Sequence, residues 1–426
     1  MLILIAGASG FVGYALATRL LHDGHALVCA SRRPGNLPDR ARHLRVDFSS
    51  PPGRDWWAPH LDGVDVVVNA VGIFREGQGQ TFDALHTRAP VELFEAAANA
   101  GVRLVVQLSA LGADDEAATA FHASKYRADE ALRRLPVRSV VVQPSLVYAS
   151  RGTSATLFNQ LALLPLVPLP AIDARVQPVH LDDVVEALVH LIHSPPARSC
   201  TIAAVGPQAV TLKEYLAVLR QALGSRRAQW VLSIPMGLAA MAVHLMALLR
   251  PGLVDASALD MLARGNQAPA ADFARCLGRA PRPIAQFLGA DDKEPAREHA
   301  QLHTWLGVMK AALAAVWIVT GLLSLGLYPV ERSLALLQDF GLRGAPAVVA
   351  LYAGAVLDLA LGLALALAPP RQVRWVLCAQ FATMAGYTIL ITLRISDWWL
   401  HPFGPILKNL PMLAATAMLM ALHRRH

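Results

Sequence analysis

Hydrophobic and polar positions divide this chain into two regimes. Up to about residue 290, short apolar runs alternate with segments whose apolar residues recur every three to four positions. That is the pattern of parallel strands separated by helices. The runs at 2–6, 26–31, 64–70, 104–109 and 137–143 are rich in β-branched residues and are expected to be strands. Residues 11–23, 89–100 and 124–135 are expected to be helices, with Gly24 placed to end the first. Residues 157–170 are apolar and Pro-rich and read as a substrate-side loop or lid. Residues 230–249 form a long apolar stretch that a core helix, an interfacial helix or an extra membrane span would each satisfy. Pro235, His244 and the flanking Arg226, Arg227 and Arg250 favour the interfacial form.

Beyond residue 304 the alternation stops. The segments 306–327, 345–368, 373–393 and 405–422 are each close to the ~20 apolar residues that cross ~30 Å of hydrocarbon. Residues 291–303 are charged, contain a proline and read as a linker. The expected organisation is an α/β domain over 1–290, built on a doubly wound parallel sheet, and an all-α four-helix transmembrane bundle over 304–426. Arg371 and Arg374 fall in the second connection, Arg424 and Arg425 in the tail. The positive-inside rule then expects the N-terminal domain on the cytoplasmic side of a bacterial-type inner membrane, although Arg332, Arg343 and Arg394 in the outer loops soften that bias. Trp305, Trp375, Trp398 and Trp399 fall near the expected interfaces.

Composition supports a lipid environment: 54% of residues are hydrophobic and 16% charged, against ~25% charged in soluble domains. The net charge of +7 comes without a Lys/Arg run, so the partner expected is the bilayer rather than nucleic acid. Cys29, Cys200, Cys276 and Cys378 are scattered and none has C-x-x-C spacing, so no disulfide framework is expected. His299 and His303 have metal-ligand spacing on a helix but no third ligand nearby, so no metal is expected.

The candidate chemistry begins at the first turn. The run at 2–6 leads into Gly7, Ala8, Ser9, Gly10, Phe11, Val12 and Gly13, followed by a helix. Glycines at such a corner permit a tight turn, close approach of a pyrophosphate and close helix packing, and the helix N-terminus attracts the phosphates. This is a Rossmann dinucleotide corner in its G-x-x-G-x-x-G form. After the second run, where an NAD site wants a carboxylate, the chain reads Ser31, Arg32, Arg33. Arginine there suits a 2′-phosphate, so NADP(H) is the expected cofactor and NAD(H) the alternative.

These residues, with Asp47-Phe48, Asn69-Ala70-Val71-Gly72, Leu108-Ser109-Ala110-Leu111-Gly112 and Pro178-Val179-His180-Leu181-Asp182-Asp183, resemble the short-chain dehydrogenase/reductase superfamily over about residues 1–290. The resemblance is to its atypical, extended branch, which includes NAD(P)-binding epimerase/dehydratase-like proteins and an accessory subunit of respiratory complex I. It implies that Asp47 and Phe48 flank the adenine, that Asn69, Ala70 and Gly72 line the ribose and nicotinamide side, and that Pro144 borders the nicotinamide. Active members use Ser, Tyr and Lys, the last two four apart on one helix face. Ser109 and Lys125 match, but the tyrosine position is Phe121, which has no proton to give. Tyr126 points about 100° away from that face. His122 and Tyr148 are substitute candidates, each with a structural reading that we favour. Lys125 can hold the cofactor ribose without any chemistry.

The last 120 or so residues resemble the DoxX-like family of small four-helix membrane proteins, through Tyr328-Pro329-Val330-Glu331 and the motif His401-Pro402-Phe403-Gly404-Pro405-Ile406-Leu407-Lys408-Asn409-Leu410-Pro411. Asp358 lies mid-span with Gly354 and Gly362 on its face, so it is expected to point into the bundle, toward Thr320, Gln380 or Thr383. A structural carboxyl and a proton- or quinone-related role both remain open for it. Two functions fit these residues: an NADP(H)-dependent oxidoreductase or isomerase acting on a lipid-soluble, quinone- or isoprenoid-like substrate, or a non-catalytic NADP(H)-binding accessory or sensor subunit with membrane-protein partners. A sugar-nucleotide epimerase is a weaker third, because it wants the missing tyrosine.

Overall fold

The computed structural model describes residues 1–34, 37–77, 79–150, 152–225, 227–249, 257–400 and 406–423. Arg226, Arg250, Arg424, Arg425 and residues 401–405 lie outside that description. The chain divides into two units, Met1–Ala300 and Gln301–His426.

The first unit is built on strands β1 (Leu2–Ala6), β2 (Ala26–Ser31), β3 (Arg42–Arg45), β4 (Val66–Asn69), β5 (Leu104–Leu108) and β6 (Ser139–Pro144). Farther along come β7 (Leu166–Pro170), β8 (Cys200–Ala204) and β9 (Trp230–Ile234). Seven of these form one parallel sheet in the order β8-β6-β5-β4-β1-β2-β3. Side chains alternate between its faces. Ile3, Ile5, Val66 and Val68 therefore feed one core, while Leu4, Ala6 and Val67 feed the other. Burial on both faces explains why these strands read as unbroken apolar runs. The chain winds one way from β1 to β3 and the other way from β4 outward. The crevice at the carboxyl ends of β1 and β4 is thus the switch point at which such sheets bind ligands.

Helix α1 (Phe11–His22) follows β1, α2 (Ala89–Asn99) follows β4, and α3 (Ala120–Arg133) follows β5. The last begins four residues before the expected start, because the Thr119 hydroxyl accepts the His122 amide at 3.3 Å and caps it. Phe121 and His122 are thereby in its first turn. Helix α4 (Leu181–His193) is capped by His180, and its buried Asp183 takes the Arg279 guanidinium and the Arg282 amide, each at 2.7 Å. The stretch 157–170 is not a loop: it contains the end of a helix, Thr153–Leu163, and then β7. Residues 230–249 resolve into β9, parallel to β7, and helix α6 (Met236–Leu249), which follows α5 (Leu212–Ala222). Pro235 separates the strand from the helix, and the described helix of 14 residues falls short of a bilayer's thickness. Helix α7 (Ser257–Arg264) completes this side.

Residues 291–303, expected as a linker, lie inside helix α8 (Ala290–Leu322). Asp291 and Asp292 in its first turn favour the positive end of the helix dipole, and the helix formers Ala296, Glu298, Ala300 and Gln301 extend it past Pro295. In the second unit, α9 (Ala345–Leu367), α10 (Pro370–Arg394) and α11 (Asn409–Leu422) follow. Three helices among the described residues are long and apolar enough to cross a membrane, and α11 is a shorter apolar helix where the fourth span was expected. Asp358 is buried, as its setting required, but its hydrogen-bond partner is the Tyr387 hydroxyl rather than Thr320, Gln380 or Thr383. Gly362 packs against Trp317 and Ile318, and Gly321 against the α9 backbone at Ala355 and Leu359.

Candidate functional site

The corner after β1 cannot be built from other residues. Gly7 has φ +79°, and a Cβ there would lie 2.7 Å from the Ala70 carbonyl carbon. At Gly13 a Cβ would lie 2.3 Å from the Gly7 oxygen, which is how closely α1 packs onto the turn. Gly10 caps α1 without a side-chain bond, leaving the helix's first amides free to meet an anion. Beside this corner is a cavity of about 160 Å³ lined by Gly7, Ser9, Gly10, Arg32, Asp47, Phe48, Ala70 and Gly72 from the expected set. It also takes in Ser31 and Val71 from the same motifs, and Ser49, Ile73, Gln80 and Leu85, which the motif reading left out.

The other expected residues stand behind or beside this lining. Val12 packs in the core, and the Phe11 ring lies 3.1 Å from where a Gly152 Cβ would stand. Asn69 is buried. Its oxygen accepts the Val71 amide at 3.2 Å and its nitrogen donates to Gln107 at 2.7 Å, so it shapes the 70–72 turn from behind. Arg33 is exposed and offers its carbonyl to the Ser31 hydroxyl, while Pro144 is half-buried at the end of β6. Asp47 accepts the Ser49 hydroxyl at 2.5 Å and the Ser49 amide at 3.0 Å. These bonds, with the Arg32 charge, hold its carboxyl below the usual range.

Farther along the crevice, Lys125 is wholly buried and donates to the Val71 carbonyl at 2.9 Å and the Leu108 carbonyl at 3.1 Å. Burial lowers its pKa to about 8, against the pull of Asp129. Ser109 donates to Asp129 at 2.5 Å, and burial raises that carboxyl to about 6. Asp129 lies four residues after Lys125, one helix turn on, and that spacing was the signal available for it.

His86 is a second residue that motif reading missed. Its Nε2 accepts the Ile73 amide at 3.0 Å, so Nδ1 carries the proton and donates to Ser124 Oγ at 2.9 Å. Ser124 in turn donates to the Phe121 carbonyl at 2.8 Å. Burial, with the Lys125 charge nearby, pushes His86 down to about 2, so it stays neutral and pins the Gly72–Ile73 wall of the cavity.

Phe121 lies in an aromatic cluster with Phe74, Phe82 and His86, at centroid distances of 5.6, 5.9 and 5.4 Å. The substitute proton donors are both engaged. His122 Nδ1 is 3.0 Å from Thr119 Oγ1, and its ring also bonds the Leu111 backbone. The Tyr148 hydroxyl donates to Asn159 at 3.2 Å, and burial pushes it up to about 12.

Comparison with known proteins matches the two regimes separately. Residues 7–161 match an NAD(P)H-binding family and residues 314–417 the DoxX-like family. The ceramide reductase of Caulobacter vibrioides is 25% identical over 227 residues, which are 52% of this chain and 70% of that one. The 40 kDa subunit of NADH-ubiquinone oxidoreductase from Neurospora crassa is 24% identical over 236 residues, 52% of this chain and 60% of that one. Among solved structures, a nucleoside-diphosphate-sugar epimerase from Staphylococcus aureus superposes with a TM-score of 0.55 at 17% identity, covering 69% of this chain and 100% of its own. MoeE5 with UDP-glucuronic acid and NAD gives 0.51 at 20%, covering 71% and 99%. The chain joins an NAD(P)-binding domain, whose Rossmann fold those two structures share, to a DoxX-like domain, and it is a membrane protein.

Proposed function

We propose that this membrane protein is an NADP(H)-dependent oxidoreductase that reduces a carbonyl group of a lipid-soluble substrate at the cytoplasmic face of a bacterial-type inner membrane. The observation that carries the reading is Arg32 in the same cavity as the glycine corner, in a chain with three helices able to span a bilayer. The free amides at the start of α1 fit a pyrophosphate, and the exposed Arg32 guanidinium fits a 2′-phosphate. NADPH, when bound, supplies hydride. The chain supplies the rest. Lys125 braces the Val71 and Leu108 carbonyls and has a third proton for the ribose. When Asp129 carries the proton, the 2.5 Å bond runs the other way: Asp129 donates to Ser109 Oγ, Ser109 gives its own proton to the carbonyl oxygen as hydride reaches the carbon, and the Asp129 proton replaces it, leaving the carboxylate. This route needs no phenol, which is why Phe121 is tolerated. That one relative is a ceramide reductase supports a lipid carbonyl as the substrate class.

A second reading is a non-catalytic accessory subunit. Phe121 in its aromatic cluster favours it, as does likeness to a subunit of NADH-ubiquinone oxidoreductase. One experiment separates the two. The purified full chain is incubated with NADPH and a panel of sphingoid ketones, quinones and isoprenoid ketones while the nicotinamide absorbance is followed. Oxidation that disappears in Lys125→Ala supports the reductase. Tight NADPH binding with no oxidation of any substrate supports the accessory subunit.

A further inference from the structure

A second cavity, of about 190 Å³, lies under the β7–β9 ribbon. Its walls are Leu169, Ile172, Leu212, Val231 and Leu262, with neighbouring Pro and Ala, and its polar lining is limited to Thr211, Lys213 and Ser233. Among the described residues no arginine, carboxylate or aromatic ring lines it, so these offer little to a nucleotide or a sugar. Lys213 is exposed and has no ion-pair partner among the described residues.

The ribbon above the cavity is apolar on both faces, unlike ordinary surface strands. Its inward residues Val167, Leu169 and Val231 are apolar as usual. Its outward residues are apolar too: Leu166 is 55% exposed, Trp230 75% and Leu232 54%. Helix α6 continues the surface with exposed Leu238 and Met241. A soluble enzyme would place polar residues there. Such a surface suits contact with lipid, where a tryptophan fits the membrane interface.

The helix that lines the cavity also meets the reacting end of the first unit. Leu262 lines the cavity, and two residues later on α7 Arg264 donates to the Gly112 carbonyl at 3.1 Å and pairs with Asp114 at 2.7 Å. That is the loop leaving β5 just after Ser109.

We infer that this cavity receives the acyl chain of an amphipathic membrane lipid, with Lys213 meeting an anionic or strongly polar head group at its rim. The inference rests on the reductase reading for the lipid's fate but not for its binding. The lipid enters tail-first, under the ribbon.

The test uses the full chain in nanodiscs, a palmitic acid bearing a terminal diazirine, and residue-level mapping of adducts after illumination, all without NADPH. Adducts are expected at Ile172, Leu212, Val231 or Leu262. Val231→Trp, which fills the cavity, is expected to cut them roughly tenfold, the effect of denying two buried methylenes. Unchanged NADPH binding certifies that this variant is folded, and Ser233→Trp serves if it is not. Adducts confined to residues 306–422, or cavity adducts equally strong in a folded cavity-filling variant, overturn the inference. Cavity adducts in a protein that never oxidises NADPH support the lipid site while removing the reductase. Turnover of lipid carbonyls without cavity adducts does the reverse.

Discussion

At the scale of single residues, charge decides the cofactor and burial decides the proton. Arg32 lines the cavity where an NAD enzyme would carry a carboxylate. Arg32→Ala is expected to weaken NADPH binding about tenfold, a loss of ~1.4 kcal/mol, and to leave NADH binding unchanged; calorimetry on both nucleotides measures it. Asp129 is raised to about 6 by burial, so its proton-bearing form dominates below that pH and is lost as pH rises through it. Reduction should therefore slow above about pH 6, and Asp129→Asn should flatten that limb of the rate profile. The glycine corner and Arg32 were legible in the sequence because each answers to a local rule of backbone geometry or charge. His86 was not, because its role exists only once a turn 13 positions earlier folds back and offers it the Ile73 amide.

Elements were legible in proportion to how far they are buried. β1, β4 and β5 stand within two residues of expectation because burial on both faces makes them continuous apolar runs. β3, with the sequence Arg-His-Leu-Arg, lies at a sheet edge and has no such pattern. Residues 230–249 misled for another reason. Apolar strand and apolar helix look alike until Pro235 is seen to divide them. The start of α3 depends on one hydroxyl. Thr119→Ala is expected to cost about 1 kcal/mol and to lower the thermal unfolding midpoint of the detergent-solubilised chain. Because Phe121 and His122 lie in that first turn, cofactor affinity should weaken with it.

For the molecule as a whole, 54% hydrophobic against 16% charged residues mark a bilayer component independently of any motif. The sequence could not say which pairs of helices meet. Gly354 and Gly362 were visible as a small-residue face on α9, whereas their contacts come from α8 and from Tyr387 on α10. Nor could it place the second cavity, whose walls come from residues 169 to 262 and meet only through tertiary packing.

The bare seam between α8 and α9 has a consequence for Asp358. A methyl group at Gly362 would stand 2.8 Å from the Ile318 amide, and one at Gly321 equally near Leu359. Neither backbone can yield without the two rods parting. Gly362→Ala should open a slot through which water wets the carboxylate, so liposomes carrying that variant should leak protons that the parent retains, as an entrapped pH dye would report.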